Sequence, residues 1–235
     1  MNNRQVVLVT GPAGNLGSAV VHRFSPDNPH FVLLDRHPSR LEDLYPELAA
    51  SQDHLLISNV DLMNRAAVDD AVMKGIKAFQ RIDCLVHTAG GFQMGEAVAD
   101  ITPDSWNHLM NLNVKTTLNI TGAVVPHMVE RQTGKIITIG ARPALSGKAH
   151  MGAYSAAKAA VLRLTETLSA ELKVQGINVN CVIPGTIDTP QNRQAMPDAN
   201  KSHWVSPDSL AGVIQFLCSP AARDIHGAAI PVYGG

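Results

Sequence analysis

The sequence predicts an α/β fold in which one parallel sheet carries helices on both faces. Three observations predict it. Short runs rich in β-branched residues alternate with longer amphipathic stretches, a glycine-rich turn joins the first run to the first such stretch, and no repeat or linker-like segment divides the 235 residues. Strands that alternate with helices pair in parallel and form a doubly wound sheet. We therefore expect a single domain over residues 1–235.

The order of elements follows from hydrophobic periodicity. Seven strands are predicted, at 6–10, 31–34, 54–58, 82–87, 135–139, 178–182 and 229–232. The clearest helices are predicted at 16–24, 65–79, 105–130, 153–175 and 207–217. The Pro-rich stretch 184–207 is expected to be a loop over a site rather than a domain boundary.

Charge and composition narrow the class of partner. Lys plus Arg number 19 and Asp plus Glu number 20, a balance that gives no support for a nucleic-acid or anionic-membrane partner. The polar start, residues 1–5, runs directly into an apolar strand without signal-peptide architecture. No apolar run approaches the roughly 18 residues that span a bilayer. We expect a cytoplasmic protein that acts on a small molecule.

The cysteines and histidines do not predict a metal site. Cys84, Cys181 and Cys218 are odd in number and widely spaced, which favours reduced, buried thiols over disulfides or metal ligands. The ten histidines show no spacing typical of metal ligands. We therefore expect no bound metal.

A glycine-rich turn follows the first predicted strand. Gly11, Gly14 and Gly17 allow a tight turn, close approach to a pyrophosphate and close packing of helix on strand. The following helix would present free N–H groups at Asn15 and Leu16 to the phosphates. Strand-to-helix turns often need glycine for geometry alone. Here the strand before it and the helix after it favour a dinucleotide site.

An acidic residue ends the second predicted strand. Asp35 can accept hydrogen bonds from the adenosine ribose hydroxyls and would repel a 2′-phosphate, which favours NAD over NADP. Arg36 beside it can pair with that phosphate, so NADP stays open. The competing interpretation of Asp35 is a solvated residue that begins a turn.

The third and fourth predicted strands end in the same manner. Asp61 and Leu62 follow the third strand, where they can contact the adenine, and Ala89 and Gly90 follow the fourth, where small residues let the chain pass close to a cofactor. The carboxyl ends of parallel strands meet at one edge of a sheet. Their order therefore predicts a Rossmann-type dinucleotide site at that edge.

The run Tyr154-Ser155-Ala156-Ala157-Lys158 carries the candidate chemistry. Lys158 lies one helical turn after Tyr154, so both side chains can face one pocket. The unperturbed pKa of tyrosine is about 10, too high for efficient proton exchange near neutrality. We expect the Lys158 ammonium to lower the pKa of Tyr154. In isolation this spacing favours an ordinary surface helix, but the dinucleotide motifs favour the catalytic interpretation.

These motifs together resemble the short-chain dehydrogenase/reductase family over essentially the whole chain. The matching positions are the glycine turn, Asp61, Ala89-Gly90, Asn113, Tyr154, Lys158, Pro184-Gly185 and Thr189. The resemblance implies that Tyr154 exchanges the proton and that Lys158 lowers its pKa and holds the nicotinamide ribose. It further implies that Asn113 holds a water, that Thr189 contacts the nicotinamide end of the cofactor, and that the protein is a homodimer or homotetramer.

Two departures from the family pattern stand out. The glycine spacing is two residues and then two, where three and then one is commoner. Ala141 lies thirteen residues before Tyr154, where most members carry a serine that hydrogen-bonds the substrate carbonyl. Thr138 and Ser146 are the nearest hydroxyls in sequence, and neither is expected to replace it.

The residues around Ala141 are similar to the branch of the family that contains dihydropteridine reductases. The stretches 140–147 and 188–197 and Trp204 carry this likeness. Such enzymes reduce quinonoid dihydropterin with NADH and manage without the serine. Asn113 is more typical of the wider family. Two alternatives stay open: a cofactor-binding protein with little catalysis, and a keto or hydroxyl oxidoreductase of unknown substrate.

Other side chains are weaker candidates for substrate contact. Arg142 and Arg193 can bind a polar or anionic edge of a substrate. For His87, His150 and His203 we expect ordinary roles, His87 in the core and the other two in solvated loops.

Overall fold

The computed structural model describes residues 4–235, so residues 1–3 of the polar N-terminal segment lie outside it. Its centre is a seven-stranded sheet with the order β3-β2-β1-β4-β5-β6-β7. Every pairing is parallel. The strands are β1 Val6–Thr10, β2 His30–Leu34, β3 Leu55–Ile57, β4 Cys84–His87, β5 Gly134–Ile139, β6 Ile177–Pro184 and β7 Ala229–Val232. The predicted fold class and all seven predicted strands are confirmed.

The strands read as continuous apolar runs because helices cover both faces of the sheet. All five residues of β1 are buried. Val7 and Val9 pack in the hydrophobic cluster formed with the first and last long helices, while Val6 and Leu8 pack in the cluster on the opposite face. This alternation places one core on each side of a single sheet.

Nine α-helices surround the sheet in the described residues. They are α1 Asn15–Phe24, α2 Arg40–Leu44, α3 Pro46–Ala49, α4 Arg65–Phe79, α5 Pro103–Met110, α6 Thr116–Arg131, α7 Gly152–Leu172, α8 Pro190–Ala195 and α9 Pro207–Cys218. The five predicted helices are present. Three short helices, α2, α3 and α8, were not predicted.

The segment predicted to be a loop over a site contains a turn and a half of helix. Thr189 caps α8 by accepting a hydrogen bond from the Asn192 N–H at 3.1 Å, and Pro190 occupies the first helical position. An isolated parallel bridge between Ile187 and Val205 closes the segment at its base. The loop prediction was therefore wrong over α8.

The predicted helix 105–130 is interrupted. Between α5 and α6 the chain forms a widened π turn, Asn111–Lys115, and the helical stretch begins two residues earlier than predicted. The side chain of Asn113 points out of this turn and bonds the backbone of Gly91. Such single π turns cost regular hydrogen bonding and are frequent at functional sites.

The strand order reverses between β1 and β4, which are neighbours in the sheet although β2 and β3 intervene in sequence. Chains leave these strands in opposite directions, so a crevice opens at their carboxyl ends.

The remaining findings on the described residues concern the cysteines, membrane and metals. Cys84, Cys181 and Cys218 are buried and unpaired, as predicted. Among residues 4–235, no helix is long and apolar enough to cross a membrane, and no group of three or more His, Cys, Asp or Glu side chains is placed to hold a metal ion.

Candidate active site

The glycine turn between β1 and α1 has the close contacts that only glycine tolerates. Gly11 has φ +66°, and a Cβ there would lie 3.1 Å from the Ala89 Cα. A Cβ at Gly17 would collide with the carbonyl oxygen of Gly11. The Gly14 N–H donates to that same oxygen at 3.0 Å. These contacts hold β1, the turn and the chain after β4 together.

The N-terminus of α1 has the features of an anion site. Gly14 is its N-cap and offers no side chain to cap it. The N–H groups of Asn15, Leu16 and Gly17 lie in the first turn, where a helix leaves its donors unpaired. Leu16 is buried in the core, so its contribution there is limited to its backbone. The Asn15 Nδ2 donates to the Gln191 Oε1 at 2.9 Å, which ties α1 to α8.

A cleft of about 460 Å³ opens in the crevice between β1 and β4. Half of the residues predicted to bind the cofactor line it: Gly11, Gly14, Asp35, Arg36, Asp61, Leu62, Ala89 and Gly90. The sequence analysis did not assign several others, including His37, Arg40, Val60, Met63, His108, Leu112 and Thr116. The cleft therefore brings together the carboxyl ends of four strands, as the order of motifs predicted.

Asp35 and three basic residues share one end of this cleft. Asp35 is 7% exposed and lines the cleft, and its Oδ1 accepts the His37 N–H at 2.9 Å. Arg36 is exposed beside it. Arg40 reaches back over the glycine turn and donates to the Ala13 carbonyl at 3.1 Å. The three basic residues within 36–40 were the sequence signal for this cationic rim.

Tyr154 and Lys158 lie in the first turns of α7, on the side that faces the sheet's carboxyl edge. The Lys158 Nζ lies 6.0 Å from the centre of the Tyr154 ring and donates to the Ile139 carbonyl at 2.9 Å. Lys158 is 7% exposed, and burial lowers its pKa to about 8. The predicted pair is therefore present, with the lysine ammonium close to the tyrosine ring.

The pKa of Tyr154 differs from the expectation. Burial raises it to about 12, in the opposite direction to the predicted lowering by Lys158. The Lys158 Nζ lies 6.0 Å from the ring centre and bonds the Ile139 carbonyl, and in this arrangement desolvation of the phenolate decides the direction of the shift. Tyr154 is accordingly protonated near neutral pH, and its proton is harder to release than that of a free tyrosine unless the phenolate is stabilised.

Asn113 fixes the chain beside this pair. It is 1% exposed, its Oδ1 accepts the Gly91 N–H at 3.2 Å, and its Nδ2 donates to the carbonyls of Gly91 and Leu109 at 3.1 and 3.0 Å. A Cβ on Gly90 would lie 2.8 Å from the Asn113 Oδ1 and 3.4 Å from the Lys158 Nζ. Asn113, Gly90 and Lys158 thus meet where the dinucleotide cleft ends.

Ala141 is buried just beyond β5, in extended backbone with φ −162°. The Thr138 Oγ1 is hydrogen-bonded to the Thr165 Oγ1 at 2.7 Å inside the core. Ser146 is exposed on the loop that follows. Neither hydroxyl takes the place of the missing serine, as expected.

The chain after β6 contributes the remaining predicted cofactor residues. Pro184 ends the strand, the Gly185 N–H donates to the Val232 carbonyl at 2.9 Å, and Thr189 is buried at the N-cap of α8. They lie beyond the lining of the 460 Å³ cleft.

The arginines proposed for substrate contact are engaged with other groups. Arg193 forms an ion pair with Asp188 through two contacts of 2.5 and 2.7 Å. The Arg142 guanidinium stacks on the Tyr233 ring, 5.1 Å from its centre.

The histidines are ordinary in two of three cases. His87 is buried, with its Nδ1 2.7 Å from the Thr10 Oγ1, and burial lowers its pKa to about 3, so it is a neutral core residue. His203 is exposed and lies 3.0 Å from the Gly235 carbonyl. His150 lines a small cavity together with Tyr154, so of these three histidines it is the one that shares a cavity with the candidate proton donor.

That cavity, about 20 Å³, lies on the side of Tyr154 where the chain after β4 meets the start of α7. Phe92 sets its ring edge-on against Tyr154, with the centroids 4.9 Å apart and the planes at 87°. Phe92 itself is largely exposed. An exposed aromatic ring therefore lies directly beside Tyr154.

Comparison with known proteins assigns the family. The model for the short chain dehydrogenase family matches residues 5–200. The chain is 35% identical to the (2S)-[(R)-hydroxy(phenyl)methyl]succinyl-CoA dehydrogenase subunit BbsD of Thauera aromatica, covering 98% of this chain and 96% of that protein. It is 30% identical to the human dehydrogenase/reductase SDR family member 4, covering 98% and 87%.

Solved structures agree with this assignment. A variant of actinorhodin polyketide ketoreductase with NADPH has a TM-score of 0.90 and 25% identity, covering 100% of this chain and 98% of the other. The fold is also that of ElxO with NADP bound, at TM-score 0.90 and 23% identity, covering 97% of each chain. The glycine turn, the free N-terminus of α1 and the cleft at the carboxyl ends of four strands agree with this match. The chain belongs to the short-chain dehydrogenase/reductase family of nicotinamide-dependent oxidoreductases.

Proposed function

We propose that the protein is a nicotinamide-dependent reductase in which Tyr154 donates the proton. The observation that carries the proposal is the pairing of a protonated, partly buried phenol with a buried lysine at the end of a dinucleotide cleft. A cofactor-binding protein would need the cleft alone. The presence of both side chains within 6.0 Å of one another supports catalysis.

Each residue of the site has a separate role in this reaction. The bound nicotinamide dinucleotide, in its reduced form, supplies a hydride. Tyr154 gives its hydroxyl proton to the acceptor, which gains two electrons and two hydrogens in all. The phenolate left behind is stabilised by the Lys158 ammonium and regains its proton from solvent. Asn113 positions the Gly90–Gly91 backbone that borders the nicotinamide end.

We further propose that NADH is the preferred cofactor and NADPH a weaker one. The Asp35 carboxylate faces the cleft with one oxygen available for the ribose hydroxyls. It would repel a 2′-phosphate. Arg36 and Arg40 would attract the phosphate, but Arg36 is exposed to solvent, where its charge is screened.

The substrate proposed is a conjugated acceptor, of which quinonoid dihydropterin is the leading example. Ala141 offers no hydroxyl to polarise a carbonyl, and loss of such a donor costs an isolated ketone about 10²-fold or more in rate. An electron-poor conjugated ring needs less polarisation. The exposed Phe92 ring beside Tyr154 supports a flat, aromatic-like acceptor.

A keto or hydroxyl oxidoreductase is the second candidate. It is favoured by the relatives, which include BbsD and a 3-oxoacyl-[acyl-carrier-protein] reductase FabG from Thermotoga maritima at 27% identity. A substrate whose carbonyl is already activated would dispense with the serine.

The test is oxidation of NADH and of NADPH by the purified protein with three kinds of acceptor. These are quinonoid dihydropterin, a neutral ortho-quinone and a set of 3-oxoacyl esters and plain ketones. Fast turnover of NADH with the pterin supports the proposal. Turnover confined to oxo esters or ketones supports the second candidate. Tight NADH binding without turnover of any acceptor would mean a cofactor-binding protein.

We also propose that the protein assembles as a homodimer or homotetramer. Trp106 on α5 and Leu118 on α6 are 41% and 49% exposed, so this helical surface leaves large apolar groups in contact with water. Light scattering with size-exclusion chromatography tests this, and Leu118→Glu should shift the mass toward one chain. A wild-type mass of one chain would contradict the proposal.

A further inference from the structure

Glu96 is the acidic residue in the small cavity beside Tyr154. It lies in the chain between β4 and α5, and it lines the same cavity as Tyr154, together with Gln93, Ser105 and His150. It is half-buried, whereas Gln93 and His150 are exposed at the rim. A carboxyl side chain therefore lines the same small cavity as the candidate proton donor, where the sequence motifs assigned nothing.

Local hydrogen bonds hold Glu96 in this place. Its Oε1 accepts a hydrogen bond from the Ser105 Oγ at 2.8 Å. Ser105 in turn accepts from the Thr102 Oγ1 at 3.1 Å, and Thr102 caps α5 by accepting the Ser105 N–H at 3.1 Å. The carboxylate is thus oriented by the N-terminal turn of α5 rather than by a flexible loop.

The Glu96 side chain has no cationic partner in the part of the chain that the structure describes. Within residues 4–235, no ion pair involves it, and the Ser105 hydroxyl is its hydrogen-bond donor. An ionised carboxylate offers about four acceptor positions on its two oxygens. The second oxygen is available to a ligand, in a half-buried position where a charge-assisted hydrogen bond is stronger than in water.

We propose that Glu96 is a substrate-specificity residue that binds N–H donors at one end of the acceptor while Tyr154 serves the other. This inference rests on the proposed reductase function and narrows its substrate class. The substrate would carry an amino-amidine or similar edge, such as the 2-amino-pyrimidinone ring of a pterin, which can present two parallel N–H groups to a carboxylate. Acyl carriers with a carboxylate at this end would be repelled.

The test compares Glu96→Gln with wild type on two acceptors, quinonoid dihydropterin and a neutral ortho-quinone without N–H donors. Loss of a charged hydrogen-bond partner should lower kcat/KM for the pterin about 10- to 100-fold, mainly through KM. The quinone should keep its rate. Glu47→Gln, which removes one exposed charge from α3, is the matched control and should change neither.

A binding measurement separates this inference from the function on which it rests. Calorimetry with 2-amino-4-hydroxypteridine, in the presence of NADH or NADPH, needs no turnover. Binding to wild type that weakens about 10-fold or more in Glu96→Gln supports the inference even if no acceptor is reduced. No binding to wild type, or equal binding to both proteins, would overturn it. An equal loss of pterin and quinone turnover in Glu96→Gln would also overturn it.

Discussion

The Lys158 Nζ lies 6.0 Å from the centre of the Tyr154 ring and hydrogen-bonds the Ile139 carbonyl at 2.9 Å. Burial moves the pKa values of the two side chains apart: to about 8 for the lysine and about 12 for the tyrosine. Near neutral pH the lysine is mostly charged and the tyrosine is fully protonated. This is the state from which Tyr154 can donate a proton, and the ammonium beside it is the group available to stabilise the phenolate that results.

The pH dependence of reduction follows from Lys158. Its ammonium, which stabilises the phenolate formed on proton donation, is present below a pKa of about 8 and is lost above it. The kcat/KM for acceptor reduction should therefore be level below about pH 8 and fall as the pH rises further. A pH–rate profile at saturating NADH measures this. A rate that rises through the same range would contradict the assigned role.

Burial of the Lys158 ammonium should also lower the free energy of unfolding. Its folded pKa of about 8 is below the ordinary 10.5, so the unfolded chain binds more protons between these values. The penalty is therefore full below about pH 8, roughly 3 kcal/mol, and disappears as the pH approaches 10.5.

Lys158→Met removes this penalty and loses a hydrogen bond to Ile139 worth about 1 kcal/mol. We expect an inactive variant that is about 2 kcal/mol more stable near neutral pH, with the gain shrinking toward pH 10. Urea denaturation at both pH values measures the free energy of unfolding. A variant less stable than wild type near neutral pH would show that burial of the charged lysine does not lower the free energy of unfolding.

Asp35 should decide between the two cofactors. Its carboxylate faces the cleft, with Arg36 and Arg40 beside it. Asp35→Ser removes the charge that repels a 2′-phosphate, and the NADPH/NADH ratio of kcat/KM should rise about 10- to 100-fold. Arg36→Ala is the companion variant and should lower that ratio. An unchanged ratio in Asp35→Ser would mean that Asp35 does not contact the ribose.

Ala141 should limit the range of carbonyl substrates. It is buried in extended backbone that accepts serine without strain, and Thr138 is bonded away in the core. Ala141→Ser should raise rates with plain ketones about 10-fold or more and leave conjugated acceptors nearly unchanged. Ser146→Ala, on the exposed loop, is the control. No gain with any ketone would mean that the shape of the pocket sets the substrate range.

The strands and the dinucleotide edge were predictable because their signals are local. Each strand is an apolar run bounded by turn residues. The largest differences from the prediction are two residues, at the start of β4 and at the C-terminal end of β6. The cofactor motifs follow the strands directly. Once the strands are in order, parallel topology gathers Asp35, Asp61 and Gly90 at one edge.

Features that depend on contacts between distant segments were not predictable. The π turn at Asn113 is stabilised by bonds to Gly91, 22 residues earlier, and Arg40 reaches the Ala13 carbonyl, 27 residues away. The predicted direction of the Tyr154 pKa shift was wrong. The spacing of one helical turn predicts which side chains are neighbours, but not how far burial desolvates them. The Glu96 carboxylate was missed for the same reason, since its place beside Tyr154 depends on how the loop after β4 folds onto α7.

The most direct test of the account is the rate of NADH oxidation by wild type and Tyr154→Phe, measured with the best conjugated acceptor alongside the Kd for NADH. The phenylalanine keeps the ring contact with Phe92 and removes the proton. We predict a fall in kcat of about 10²- to 10⁴-fold with a Kd for NADH that stays within about twofold. Tyr233→Phe, which removes a hydroxyl elsewhere, should retain full activity. Near-normal turnover by Tyr154→Phe would contradict the assignment of Tyr154 as the proton donor.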